Sequence, residues 1–168
     1  MGRFTSQKNF KMLIDAFNKF SKKYSDYRLF IYGDGQLKNE LSIYVNTLEA
    51  REKIFFPGYK SNINEIMSNS GMYVSSSNFE GISNSMLEAM ALGVPTICTD
   101  CPVGGAKMVI KDGVNGVLVP VGDVDKLYNA MIRIASESKF ADKISREAVR
   151  VKDTFSDKTI GAMWIDII

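Results

Sequence analysis

Three consecutive stretches decide the fold: Met72-Tyr-Val-Ser75, then Ser77-Asn-Phe-Glu80-Gly-Ile-Ser-Asn-Ser-Met-Leu-Glu88-Ala-Met-Ala-Leu-Gly93, then Val94-Pro-Thr-Ile-Cys98. The first and third are short, apolar and rich in β-formers, so they read as buried strands. The middle one opens on a Ser/Asn-rich loop. It then sets Met86, Ala89 and Met90 on one side of a helix over Ser83 to Leu92, and Gly93 stops it. Strand, helix, strand without a hairpin turn is a crossover, and crossovers join parallel strands.

The same alternation continues outward in both directions. Upstream, Phe10, Leu13, Phe17 and Phe20 mark an amphipathic helix from about Gln7 to Tyr24. Arg28-Leu-Phe-Ile-Tyr32 is a strand stopped by Gly33-Asp34-Gly35. Leu37, Leu41, Tyr44 and Leu48 form a second helix, and Lys53-Ile-Phe-Phe56 is a strand halted at Pro57-Gly58. Ile63, Ile66 and Met67 mark a short helix. Downstream, Asp112-Gly113 and Asn115-Gly116 are turns before the strand Val117-Leu-Val119. From Asp123 the periodicity is helical to the end, through Ile134, Ile144, Val151 and finally Ile160, Met163 and Trp164. Met1-Gly2-Arg3-Phe4 reads as the tail of a further strand, so the chain is expected to be a domain cut from a larger protein. The fold class is α/β: a Rossmann-like parallel sheet flanked by helices, one domain over residues 1–168.

Composition narrows the chemistry. The 168 residues contain no histidine, which excludes Ser-His-Asp, Cys-His and His-ligated zinc centres within this chain. Lys and Arg number 21 against 19 Asp and Glu, a balance of +2 that calls for no nucleic-acid partner. The longest uncharged run, Ile66 to Phe79, is too short and polar to span a bilayer. Two cysteines make no disulfide framework, and the reading is a reduced, cytoplasmic protein.

In open parallel sheets ligands sit beyond the carboxyl ends of the strands. Those ends here carry Gly2-Arg3, Gly33-Asp34-Gly35, Pro57-Gly58-Tyr59, Ser75 to Gly81 and Asp100 to Gly105. Each holds a glycine, which lets backbone approach a ligand or take positive φ. Lys8, in the first turn of the helix expected from Gln7, opposes the helix dipole unless a phosphate lies between it, Arg3 and the helix end. Two solvated surface cations are the other reading. Gly104-Gly105 could add backbone donors at a short helix start. Glu80 and Glu88 are the informative carboxylates. Glu88 lies among Ala89, Met90, Ala91 and Leu92, where a carboxylate is costly unless it accepts hydrogen bonds, and carboxylates suit vicinal hydroxyls. The competing reading has Glu80 complementing the helix dipole and Glu88 paired with a surface lysine.

The Glu80 to Glu88 segment resembles the Glu-seven-residues-Glu segment of group 1 (family 4) retaining glycosyltransferases. Gly2-Arg3, Gln7-Lys8-Asn9-Phe10, Ile31-Tyr-Gly33-Asp-Gly35, Phe56-Pro-Gly58 and Asp112-Gly-Val-Asn-Gly116 match that family in the same order, over nearly the whole chain. The resemblance implies the C-terminal, donor-binding half of a GT-B enzyme, with the N-terminal acceptor domain absent from this chain. It implies that Arg3 and Lys8 hold the donor diphosphate without a metal or other cofactor and that Glu88 takes the ribose hydroxyls. Glu80 would contact the transferred sugar, and the backbone of Gly81, Ile82, Ser83, Asn84 and Ser85 would meet sugar and phosphate. The base would rest near Pro57, Gly58 and Tyr59, with Gly33 and Gly35 leaving room beside it, and Gly2 would belong to the same nucleotide-sugar site. On this resemblance Arg3, Lys8 and Glu80 are the catalytic set. The partner is a nucleotide-sugar, UDP-linked, used in surface polysaccharide assembly. Contact with the inner face of the cell membrane belongs to the full-length enzyme. One departure stands out: Ala106-Lys107-Met108 follows the paired glycines where the family often has Pro-x-Glu. A GT-B nucleotide-sugar epimerase and a non-enzymatic flavodoxin-like binding module are the alternatives.

Other motifs read as structural. Cys98-Thr-Asp-Cys101 ends a strand, runs into Pro102 and lacks a second cysteine pair for zinc. Asp123-Val-Asp125 begins a helix after Gly122, where aspartates cap. Gly33-Asp-Gly35 lacks the third glycine of a dinucleotide fingerprint.

Overall fold

The computed structural model describes residues 1–155. Among these residues five strands alternate with helices and three helices close the order: α1 (Phe10–Lys23), β1 (Leu29–Tyr32), α2 (Lys38–Asn46), β2 (Ile54–Gly58), α3 (Ile63–Ser68), β3 (Tyr73–Ser75), α4 (Asn84–Ala91), β4 (Thr96–Thr99), α5 (Gly105–Val109), β5 (Val117–Val119), α6 (Val124–Ser136), α7 (Ser138–Ala148) and α8 (Val151–Thr154). Every strand pairing is parallel. The strands form two sheets, β1-β2 and β3-β4-β5. The expected helical stretch at Ile160, Met163 and Trp164 lies outside the described residues.

Burial follows from the patterns that form the elements. All four residues of β4 are buried, as for a strand covered on both faces. Ile97 faces a core built by Phe10, Leu13, Phe17 and Phe20 of α1 with Leu127, Met131 and Ile134 of α6. Cys98, pointing the other way, joins Met86 and Met90 of α4, Ala106 of α5 and Ala148 of α7. The buried hydroxyls of β4 are satisfied locally: Thr96 donates to Val94 O at 2.9 Å and Thr99 to Ser77 O at 2.6 Å. Asp123 caps α6, accepting from the Lys126 N–H at 2.8 Å.

Three local readings change. Helix α1 starts at Phe10, not Gln7, because Ser6–Lys8 forms a separate 3-10 turn and Asn9 caps the helix from a left-handed conformation, φ 43°. Lys8 therefore precedes the helix and does not sit in its first turn. Strand β2 is not halted at Phe56 but runs through Pro57 to Gly58, whose carbonyl accepts from Gly33 N–H at 3.0 Å. Proline is tolerated there because β2 is an edge strand. Residues 1–4 form no named strand, yet Gly2 N–H donates to Tyr32 O and Phe4 N–H to Asp34 O, each at 2.9 Å.

Candidate functional site

The loops after β1, β2, β3 and β4 gather with residues 2–9 at one edge of the sheets. Their close approach is enforced by glycine. A Cβ on Gly33, at φ 126°, would lie 2.0 Å from Gly2 O, and one on Gly35 would lie 2.6 Å from Phe4 N. These two glycines thus serve the packing of residues 2–4 against the end of β1. Gly105 does the same on the other side, where a Cβ would meet the Gly81 carbonyl carbon at 2.0 Å. The Glu80 N–H also donates to Pro102 O at 3.0 Å, so the loop after β4 props the loop after β3 from below.

A web of hydrogen bonds clasps the Ser6–Lys8 turn to the loop after β3. Asn78 N–H donates to Gln7 O at 2.7 Å, and the Asn78 side chain donates to Ser6 O at 2.9 Å. Asn9 Nδ2 donates to Asn78 Oδ1 at 2.8 Å, and Gln7 Nε2 donates to Phe79 O at 3.1 Å. The buried Ser76 hydroxyl donates to Lys8 O at 2.9 Å. At the centre of this clasp Lys8 Nζ bonds Glu80 Oε2, and Ser77 Oγ donates to the same oxygen at 3.3 Å. The two charged side chains keep only 17% and 22% of their exposure, so the pair is largely withdrawn from water.

The remaining candidates are left open. Arg3 is exposed, and its side chain has no hydrogen-bond or ion-pair partner among the described residues. Glu88 is half-buried on α4, and its carboxylate likewise has none, which removes the reading of a surface lysine pair. Ser83, at the N-cap of helix α4, makes no side-chain capping bond, and the N–H groups of residues 82 to 85 bond to nothing described. Two turns of charge-seeking geometry thus meet: an uncapped, dipole-positive helix start and, further along, a bare carboxylate. Ser83 and Ser85 bond each other at 2.9 Å, and Ser85 bonds the Tyr73 hydroxyl at 2.7 Å. Burial raises the Tyr73 pKa above the usual phenol range, so the hydroxyl remains a neutral partner. Pro57 and Tyr59 are exposed, Tyr59 at 86%, and Gly58 adopts φ 77° with nothing within 4 Å of its would-be Cβ.

Neighbouring features play other parts. Lys107 pairs with Asp100 at 3.0 Å, while Met108 and Val103 stand exposed. Cys98 and Cys101 are both buried and free, and burial pushes the Cys98 thiol up to about 12, the opposite of a reactive thiolate. Sequence reasoning missed Asn78, whose partners lie some seventy residues away. Asn9 did carry a signal, because an asparagine just before an apolar periodic run is a cap residue.

With this geometry in view, the similarity to known proteins becomes specific. The profile of the family described as glycosyl transferases group 1 matches residues 1–151. The chain belongs to the group 1 glycosyl transferases. It is 31% identical over 172 aligned residues to the amylovoran biosynthesis glycosyltransferase AmsD of Erwinia amylovora, covering 100% of this chain and 46% of that protein. Against the poly(glycerol-phosphate) alpha-glucosyltransferase of Bacillus subtilis it is 26% identical, covering 98% of this chain and 24% of the relative. Among solved structures, the C-terminal domain of the group 1 protein LpcC from Francisella tularensis superposes with a TM-score of 0.82 at 27% identity, over 92% of this chain and 83% of that one. Anabaena HepE in complex with UDP gives a TM-score of 0.90 at 22% identity, over 99% and 46% respectively, and this likeness shows the fold. The group 1 chain thus has the Rossmann-like C-terminal half of the GT-B architecture, and it spans 24% and 46% of the length of these two curated relatives.

Proposed function

We propose that this chain is the donor-binding domain of a retaining, metal-independent glycosyltransferase. In that reading the full-length enzyme moves a sugar from a nucleotide-sugar, UDP-linked, to a glycan or lipid-linked acceptor in surface polysaccharide biosynthesis. The observation that carries it is the bare, half-buried carboxylate of Glu88 beside the uncapped start of α4, on the same edge as Arg3 and the Lys8–Glu80 pair. A half-buried carboxylate without a partner is costly unless a ligand supplies donors. Ribose hydroxyls are such donors.

In this role Arg3 and Lys8 bind the diphosphate and stabilise the charge that accumulates on the departing nucleotide diphosphate. The free N–H groups of residues 82 to 85 meet phosphate and sugar at the helix start. Lys8 already holds Glu80, so the diphosphate competes for the lysine and leaves Glu80 to accept from sugar hydroxyls. Pro57, Gly58 and Tyr59 offer an open shelf for the base. Two cations on the protein do the work that a divalent ion does elsewhere, so no metal or cofactor enters the scheme. The acceptor and the other wall of the cleft belong to an N-terminal domain outside these 168 residues, and this chain alone binds donor without transferring it. The cytoplasm, where nucleotide-sugars are the donors, is the compartment assigned. No helix among the described residues is long and apolar enough to cross a membrane. Support comes also from relatives named for amylovoran and lipopolysaccharide core biosynthesis, and from a structural neighbour crystallised with UDP-glucose.

The test is calorimetry of UDP, GDP, ADP and several UDP-sugars against the domain without added metal. Selective UDP binding is the expected result, and equal, weak responses to all three nucleotides would remove the assignment. In Glu80→Ala, UDP should bind at least as tightly as in the parent, because Lys8 is released. The extra affinity contributed by the sugar should vanish, and retention of that increment would take Glu80 out of the sugar site.

A further inference from the structure

Serine is among the preferred N-cap residues, yet Ser83 leaves the start of α4 uncapped. Its backbone is no obstacle, because φ −81° and ψ 123° are the extended values that an N-cap adopts. Elsewhere in the chain the device is used: Asn9 accepts from the Met12 N–H at 3.2 Å, and Asp123 from the Lys126 N–H at 2.8 Å. At α4 the side chain is engaged sideways instead. Ser83 Oγ lies 2.9 Å from Ser85 Oγ, and Ser85 Oγ lies 2.7 Å from the hydroxyl of Tyr73 on β3. The Tyr73 ring is buried in the core cluster that holds Met86, Met90 and Cys98, so its oxygen has a fixed place beneath the helix start. Phenylalanine would fill the same volume; the hydroxyl alone makes the bond to Ser85.

We propose that Tyr73 is a positioning residue of the donor site: through Ser85 it holds the Ser83 hydroxyl off the start of α4 and keeps the first N–H groups of that helix free for the diphosphate. The identity of that anion rests on the donor reading above. The hydrogens run one way along the chain. A buried phenol needs an acceptor for its proton, and Ser85 Oγ is the one beside it. Ser85 then turns its own hydrogen to Ser83 Oγ. The Ser83 oxygen already accepts a bond on that side, and its own hydrogen is left for the open edge. The Met86 N–H settles on the Ser83 carbonyl at 3.1 Å, and the amides of residues 82 to 85 bond to nothing described. A serine free to cap would compete with the ligand for these same donors, at the N2 or N3 position of the helix. Keeping it turned away costs α4 a cap and leaves the anion nothing to displace.

The experiment compares the 168-residue chain with Tyr73→Phe and with the double variant Tyr73→Phe/Ser83→Ala, by NMR-detected amide hydrogen exchange and by calorimetry of UDP and uridine. In Tyr73→Phe the released Ser83 should cap α4. Exchange of the Ser85 amide should then slow severalfold, and UDP affinity should fall roughly fivefold, the worth of one N-cap. Uridine, which brings no phosphate to the helix, should bind as it does to the parent. Deleting the capping oxygen in the double variant should return Ser85 exchange to the parent rate, a reversal that a simple packing defect cannot produce. The amide of Val119 in β5 serves as the reference for global opening. Unchanged Ser85 exchange in Tyr73→Phe overturns the proposal, and so does an equal loss of uridine and UDP affinity. Failure of the parent to bind UDP would instead overturn the donor reading, whereas the exchange comparison needs no ligand and decides the hold of Tyr73 on Ser83 by itself.

Discussion

The two sides of the ligand edge differ in how their polar groups are satisfied. On one side, the Ser6–Lys8 turn and the loop after β3 are clasped by Asn78, Asn9, Gln7 and Ser76, and the charges of Lys8 and Glu80 answer each other. On the other, Arg3, Tyr59 and Glu88 reach into open space or lie half-buried with no side-chain partner among the described residues, and the space where a Cβ of Gly58 would stand is empty. The clasped side is preorganised and holds its shape without ligand. The open side keeps its hydrogen-bonding capacity for whatever enters. Under the proposed function, the clasped charges would serve the reacting end and the unspent donors and acceptors the recognition end, a division of labour expected of a group-transfer site.

Substitutions at four positions probe that contrast, beginning with the most disruptive. Gly105→Ala forces a Cβ into the Gly81 carbonyl, so the clasped side should lose its support at a cost of about 3 kcal/mol. Urea unfolding measures it, and a midpoint equal to the parent would mean that the two loops separate freely. Next is Glu88→Ala on the open side. UDP affinity should fall roughly 10- to 100-fold, the worth of hydrogen bonds to a charged group, while stability stays level or rises as the bare carboxylate leaves. Calorimetry and thermal melts together decide it, and loss of stability with unchanged affinity would make Glu88 a structural residue.

Asn78→Ala removes two side-chain hydrogen bonds of the clasp, worth about 2 kcal/mol of stability, and should also weaken UDP severalfold through misplacement of Lys8. Asn78→Asp keeps the acceptor toward Asn9 and should recover part of both losses. If UDP binding ignores Asn78→Ala, the clasp holds the fold but does not position the lysine. The smallest effect belongs to Tyr59→Ala. An exposed ring on an open shelf should contribute about 1 kcal/mol to nucleotide binding and nothing to stability. A larger loss would mean that the shelf closes on the base.

Much of this was legible in the chain itself, and the legible parts are local. Phe10, Leu13, Phe17 and Phe20 announced α1, and the Met86/Ala89/Met90 face announced α4, because periodic burial is written in neighbouring residues. Asp123 was readable as a cap for the same reason. Gly33 and Gly35 were rightly noticed, but their cause lay elsewhere in sequence: the backbone of Gly2 and Phe4 comes so close that no Cβ fits.

The amino-acid sequence by itself determined that this protein alternates parallel strands with covering helices and that histidine chemistry has no part in this chain, and it singled out Arg3, Lys8, Glu80 and Glu88 as candidate site charges. Only the tertiary structure decided which of these charges are spoken for. Lys8 meets Glu80 across seventy-two positions, whereas Glu88 meets nothing described. The same holds for the split between the sheets, where β1 and β3 face each other over an apolar gap that no periodicity records. The physical reason is common to both. Local patterns state which face of an element is buried, whereas pairing of charges and of strand edges depends on distances between segments that chain topology alone brings together.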